Sequence, residues 1–345
     1  MKNTLSEHEI REALSNVPYP GFTRDIVSFG IVRGITLGRE IEIQLVISTN
    51  DTGVATELRN RVLKKLSSLP GNLPSRVLVD VQAPVQSAPQ GAVPIAGVRH
   101  VIAIASGKGG VGKSTVSVNL AAALSREGLS VGLCDCDLYG PSVALMCGAK
   151  ERPSADERGM ILPPEHHGLK IMSMGLLLED DSPAVLRGPM VTRYTQQFLR
   201  NVDWGNLDVL LLDLPPGTGD IQLTIVQTVA LTGVVIVTTP QEVALIDARK
   251  AVSMFQKTNV PILGILENMS YFQVPGHETR HEIFGSGGGV AEALRLGVPY
   301  LGGLPLEPIL RIASDNGTPL VVSEPEIPIS LLIREAARCL LPVIK

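Results

Sequence analysis

Residues 107–115 read Gly107-Lys108-Gly109-Gly110-Val111-Gly112-Lys113-Ser114-Thr115. The four glycines let backbone N–H groups turn inward and cradle phosphate oxygens. Lys113 follows where an ammonium reaches β- and γ-phosphates, and the Ser114 hydroxyl can ligate Mg²⁺. The chemistry predicted is binding of a nucleoside triphosphate by the whole run Gly107–Thr115, with hydrolysis of its γ-phosphate. Lys108 is not needed to build the cradle, and its side chain can project away from it.

Two carboxylate motifs lie further on. The apolar run Val131–Cys134 ends in Asp135-Cys136-Asp137, and the run Val209–Leu212 ends in Asp213 followed by Leu-Pro-Pro-Gly-Thr-Gly-Asp. A carboxylate at the carboxyl end of a parallel strand beside a phosphate loop faces the ligand crevice. Asp137 is expected to orient the attacking water, Asp135 to support the Mg²⁺ region, and Asp213 to hold Mg²⁺ together with Ser114. Gly217 and Gly219 give the second loop freedom to rearrange around a γ-phosphate. Asn268, just past the apolar run Ile262–Leu266, can offer adenine both a donor and an acceptor, although a capping or turn role fits the same spacing.

These residues need a scaffold. A short apolar stretch, Val101–Ser106, precedes the loop, and a helical stretch, Val116–Arg126, follows it. Further apolar runs at Val131–Cys134, Leu207–Leu212, Val234–Thr238 and Ile262–Leu266 alternate with helical stretches, which predicts a mostly parallel sheet covered on both faces. The uncharged run Ile221–Gln241 reads as a helix turning into a buried strand rather than a membrane span. Upstream, residues 81–98 carry three prolines and no charge until Arg99, the composition of a linker. The chain therefore divides into a small α+β module, 1–80, a linker, 81–98, and an α/β domain, 99–345. Within the module a helix over Leu5–Ser15, strands over Val27–Thr36, Glu40–Ser48 and Arg76–Val81, and an amphipathic helix over 52–69 are expected.

Bulk properties narrow the classes. The 345 residues are 44% hydrophobic and carry 30 basic against 34 acidic side chains, a net charge of −4. That balance argues against a dedicated nucleic-acid binder. Four cysteines make a poor disulfide framework for this length. The polar segment Met1–Arg11 lacks the apolar core of a signal peptide. A cytoplasmic protein without membrane attachment is expected. Cys134 and Cys136 alternate with two aspartates, but a C-x-C at a strand end lacks the second ligand pair of a structural metal site, so both are read as packing residues.

The loop resembles the deviant Walker A motif of the MinD, ArsA and nitrogenase iron-protein superfamily. In that superfamily the extra lysine reaches across a dimer interface to the partner's nucleotide. The resemblance implies a P-loop NTPase fold and a homodimer in which Lys108 acts catalytically in trans beside Lys113 and Asp137 in cis. More of the chain is similar to the Mrp family of ATP-binding iron–sulfur cluster carriers (the ApbC/Ind type). The matching segments are SGKGGVGKST (106–115), DCDLYGPS (135–142), RGPM (187–190), LLLDLPPGTGDIQLT (210–224), TTPQEVALIDARKA (238–251), ENMSYF (267–272), IFGSGGG (283–289) and LPLEPILRIASDNGTP (304–319). Residues 1–80, with YPGFTRDIVSFGIV at 19–32, resemble the SufT-like assembly domain that often precedes this ATPase.

That resemblance implies hydrolysis of ATP to ADP and phosphate and transfer of iron–sulfur clusters to apoprotein acceptors, and one departure bears on the second. The family usually follows ENMSYF with a Cys-x-x-Cys pair, and here Val274 and His277 stand at those positions. Valine cannot ligate iron; histidine can. His281 adds a second imidazole if the segment is helical. The module likewise shows Thr49-Asn50-Asp51-Thr52 where relatives often carry a cysteine. A second reading is therefore an ATP-gated dimeric delivery protein of the same fold that has lost the cluster site. A MinD-like positioning ATPase is disfavoured, because Ile329–Lys345 has too little basic amphipathic length for a membrane surface.

Overall fold

The computed structural model describes residues 6–18, 20, 25–27, 31–38, 40–48, 52–69, 74–82, 92–138, 140–177, 198–274, 276–277 and 279–345. It divides into two compact units, Met1–Gln86 and Ser87–Lys345.

In the first unit, α1 (Glu7–Leu14) starts at a capping box in which Ser6 and Glu9 satisfy each other's backbone N–H groups. Strands β1 (Val32–Leu37), β2 (Ile41–Ser48) and β3 (Ser75–Gln82) form one sheet, β1–β2 antiparallel and β2–β3 parallel. Strict alternation along β2 puts Ile41, Ile43, Leu45 and Ile47 into the core. Leu58, Val62 and Leu66 of α2 (Thr52–Ser67) meet them there, spaced as an amphipathic helix requires. Residues 49–51 and most of 19–24 lie outside the described residues.

The second unit is built on an eight-stranded sheet of order β15-β12-β11-β4-β10-β5-β9-β8. Its strands are β4 (Val98–Ala105), β5 (Val131–Asp135), β8 (Glu165–His166), β9 (Leu169–Met172), β10 (Leu207–Asp213), β11 (Gly233–Thr238), β12 (Ile262–Glu267) and β15 (Tyr300–Gly303). All neighbours are parallel except β8 with β9. Short ribbons β6 (Ser154–Ala155) with β7 (Ile161–Leu162), and β13 (Phe272–Gln273) with β14 (Arg280–His281), stand apart from it.

Helices cover both faces, and β4 shows why its buried part, Val101–Ala105, is apolar throughout. Ile102 and Ile104 pack in one core with α3 (Lys113–Arg126) and α10 (Pro328–Arg338). Val101, Ala103 and Ala105 pack in the other with α5 (Asp220–Thr228) and α6 (Glu242–Lys257). Consecutive side chains of a strand point to opposite faces, so a strand with two covered faces must be apolar at every position. Around this frame lie α4 (Val143–Met146), α7 (Gly288–Leu296), α8 (Pro308–Asp315), α9 (Leu320–Ser323) and α11 (Leu341–Ile344).

The linker expected over 81–98 is shorter at both ends. Val81 and Gln82 continue β3, and Val98 already belongs to β4. Val93 bridges Val229, while Ile95 is buried in the second unit. Apolar residues among the prolines found a surface to cover. Residues 83–91 lie outside the described residues.

Candidate functional site

The phosphate loop connects β4 to α3, and two of its glycines are required by geometry. Gly112 caps α3 at φ +80°, and a Cβ there would lie 2.2 Å from Asn268 Nδ2. A Cβ on Gly107 would lie 2.2 Å from the Asp247 carbonyl oxygen of α6, so the loop can touch that helix only with glycine. A cavity of about 220 Å³ opens above the loop, lined by Lys108, Lys113, Ser114, Asp137, Met146 and Pro216 among others. The α3 amino end supplies unsatisfied N–H groups and the positive end of the helix dipole to an anion held there.

The sheet order brings the carboxylates to this loop. The chain runs from β4 through α3 to β5, and β10 fills the place between those two strands. Asp213, at the β10 carboxyl end, therefore lies beside the loop, paired in register with Ile104 and Asp135. Its buried carboxylate gathers three side chains. Lys113 Nζ is 2.7 Å from Oδ1, Ser114 Oγ donates to Oδ2 at 2.6 Å, and Ser117 Oγ donates to Oδ1 at 2.5 Å. Sequence reasoning missed Ser117. Its signal was a hydroxyl one helical turn after Lys113 on the face turned to the sheet, where an aliphatic residue would ordinarily pack. The juxtaposed oxygens of Ser114 and Asp213 are the hard donors that Mg²⁺ takes, so the residues present fit that ion.

Asp135 departs from the supporting role at Mg²⁺ expected for it. Oδ1 accepts the Asp137 N–H at 3.0 Å, and Oδ2 accepts the Ser142 and Val143 N–H groups at 2.9 and 3.1 Å and the Ser173 hydroxyl at 3.1 Å. It thus pins both ends of the 137–142 loop, and Asp137, at the first of them, lines the cavity. Burial, and then the nearby Asp213 charge, push the Asp135 carboxyl up to about 7 against the pull of those N–H donors.

Asn268 is buried, and its Nδ2 donates to the Val111 carbonyl at 2.9 Å. The donor half of the expected two-point contact with adenine is committed to bracing the loop. Cys134 and Cys136 are buried with sulfurs 4.0 Å apart. The hydrogen bond to Cys134, with burial, holds the Cys136 thiol well above its usual range, and burial pushes Cys147 up to about 12. Protonated buried thiols are packing groups rather than metal ligands.

The segment after ENMSYF forms a hairpin, not a helix. Phe272 pairs with His281 and Gln273 with Arg280, so His277 sits in the turn and His281 in the returning strand rather than one helical turn away. Gly276, at φ +81°, suits a turn. The His277 N–H donates to the Val274 carbonyl, and both side chains are exposed. Among the described residues no three His, Cys, Asp or Glu side chains converge as a metal site. The RGPM segment, 187–190, lies outside the described residues.

The sequence profile of a family described as "ParA: NUBPL iron-transfer P-loop NTPase" matches residues 97–341. An iron–sulfur cluster carrier protein of Deinococcus radiodurans is 44% identical over 330 residues, covering 95% of this chain and 93% of that protein. A nucleotide-binding protein of Archaeoglobus fulgidus, solved in complex with ADP, is 36% identical, with a TM-score of 0.60 over 69% of this chain and 92% of its own. The cell-division ATPase MinD of Pyrococcus furiosus shares the fold at a TM-score of 0.55 and 21% identity, over 71% of this chain and 99% of its own.

Proposed function

The chain belongs to the NUBPL iron-transfer P-loop NTPase family, and on that premise we propose that it is an iron–sulfur cluster carrier that binds and hydrolyses ATP and hands clusters to apoproteins. The observation that carries the nucleotide half is the meeting of Lys113, Ser114 and Asp213 within hydrogen-bonding distance at the mouth of the glycine loop. A relative with this fold binds ADP, and relatives matched over nearly their whole length are named as cluster carriers. That naming favours the carrier over the delivery protein without cargo.

The roles follow from position. The loop amides and Lys113 hold the phosphates, with Lys113 exchanging its contact to Asp213 for one to phosphate oxygen. Ser114 and Asp213 would hold Mg²⁺, which neutralises charge on the β- and γ-oxygens. Asp137, on a loop fixed at both ends by Asp135, orients the water. Lys108 completes the site of a second copy, which makes the working unit a homodimer. Asn268 braces the loop and leaves an acceptor for the base. We place the reaction in the cytoplasm, where thiols stay reduced.

The cargo is the less conventional half. Val274 and His277 offer one ligand per subunit in an exposed turn, so a cluster taken up here is loosely held and shares its remaining ligands with a second copy or with the acceptor. The test is anaerobic transfer of a [4Fe–4S] cluster from reconstituted protein to an apoprotein. Transfer that responds to ATP and is lost in Lys113→Ala supports the reading. Equal transfer by wild type and variant, with or without ATP, sinks it.

A further inference from the structure

A second cavity, of about 540 Å³, opens between α5, α6 and the loop after Asp213, and the function above does not use it. One face of α6 lines it with Arg249, Lys250, Met254 and Lys257, Leu223 of α5 adds an apolar contact, and Thr218 forms the loop wall. The whole chain carries a net charge of −4, yet this cavity is lined by three cations and no carboxylate among the described residues. Glu242 and Glu292 hold the Arg249 guanidinium, and Asp247 pairs with Lys250, whose side chain is nevertheless 63% exposed. Lys257 has no carboxylate partner among the described residues.

Both walls abut the phosphate loop. The α6 backbone at Asp247 and Ala248 packs against Gly107. On the other side the Gly217 N–H, next to Thr218, donates to the Ser106 carbonyl at 3.0 Å, and Asp213 at the base of that loop holds Lys113. Phosphate entering the loop would compete with Asp213 for Lys113, and Asp213 stands at the base of the loop that forms one wall of the groove.

We propose that this groove docks an acidic segment of the acceptor protein, anchored by an apolar side chain against Leu223 and Met254, with an affinity set by the bound nucleotide. This rests on the carrier reading for the identity of the partner, but not for the groove's chemistry. Lys250 and Lys257 supply the attraction, and the apolar contact excludes partners that are charge alone. A nucleic acid fits less well, because the cations occupy one short cavity with an apolar component rather than a stripe along a surface.

The test uses the full-length protein and a short fluorescein-labelled peptide of Asp and Glu around a central leucine, read by anisotropy. Lys250→Glu and Lys257→Glu change exposed side chains and should leave basal ATP turnover and thermal unfolding unchanged. Each should weaken the peptide about tenfold, and wild-type affinity should differ about fivefold or more between MgATP and MgADP. Replacing the central leucine with serine should weaken binding further. The proposal is overturned if wild type ignores the peptide, if both variants bind it like wild type, or if the substitutions abolish binding of a single-stranded oligonucleotide while sparing the peptide. A protein that binds the peptide as described but neither hydrolyses ATP nor transfers clusters refutes the carrier reading and leaves the groove. Normal hydrolysis and transfer with failed peptide arms refutes the groove alone.

Discussion

Lys113 and Asp213, 100 residues apart in the chain, form a buried ion pair at 2.7 Å in the floor of the phosphate site. The cation that should greet phosphate and the carboxylate that should hold the metal neutralise each other, with two serine hydroxyls on the carboxylate's oxygens.

Removing one partner strands the other. Lys113→Ala is expected to lower ATP turnover by about 10²-fold or more. Loss of the cation from a buried pair costs about 3–5 kcal/mol, and the two remaining hydroxyl donors place the expected destabilisation near the lower figure. Adding Asp213→Asn to Lys113→Ala should restore part of that stability while turnover stays lost. Urea unfolding followed by Trp204 fluorescence checks both stabilities, since this is the chain's single tryptophan and is fully buried in the second unit.

Ser117 tests positioning separately from chemistry. Its hydroxyl touches the carboxylate and neither the cavity nor the phosphates, so Ser117→Ala should leave turnover near normal at saturating Mg²⁺. The Mg²⁺ concentration for half-maximal activity should rise about tenfold or more, the worth of one hydrogen bond to a charged group at about 1.5 kcal/mol or above. Ser117→Thr should rescue it. An unchanged Mg²⁺ titration in Ser117→Ala, with Tm reduced, assigns the serine to packing alone.

Composite sites predict complementation. Lys108→Ala and Asp137→Ala homodimers should each be nearly inactive, while a subunit-exchanged equal mixture should recover about a quarter of wild-type turnover. In each heterodimer one site then has an intact Asp137 in cis and an intact Lys108 in trans. No recovery after demonstrated exchange counts against Lys108 acting across an interface.

Two residues in the hairpin turn test the cargo. Val274→Cys with His277→Cys should raise cluster retention through desalting, measured as bound iron and sulfide, because two thiolates per subunit replace one imidazole. Wild-type protein that already keeps a full [4Fe–4S] complement, with His277→Ala unable to reduce it, would place the ligands elsewhere.

Residues 107–115 by themselves determined a phosphate loop, because local spacing sets that function: glycines where the backbone must turn, then a lysine, a hydroxyl and a helix. Apolar runs ending in Asp135 and Asp213 likewise showed which strand ends would face the ligand. Which atoms those carboxylates hold was decided only by the tertiary structure. Insertion of β10 between β4 and β5 puts Asp213 against Lys113, Ser114 and Ser117. The turn back through Ser142 toward β9 lets Asp135 collect three backbone N–H groups and the Ser173 hydroxyl. Asn268 offered a donor and an acceptor in the sequence; the close approach of Gly112 then gave its donor to the phosphate loop. Side-chain chemistry is local and legible along the chain, whereas pairing across long sequence separations depends on strand order, which no short stretch encodes.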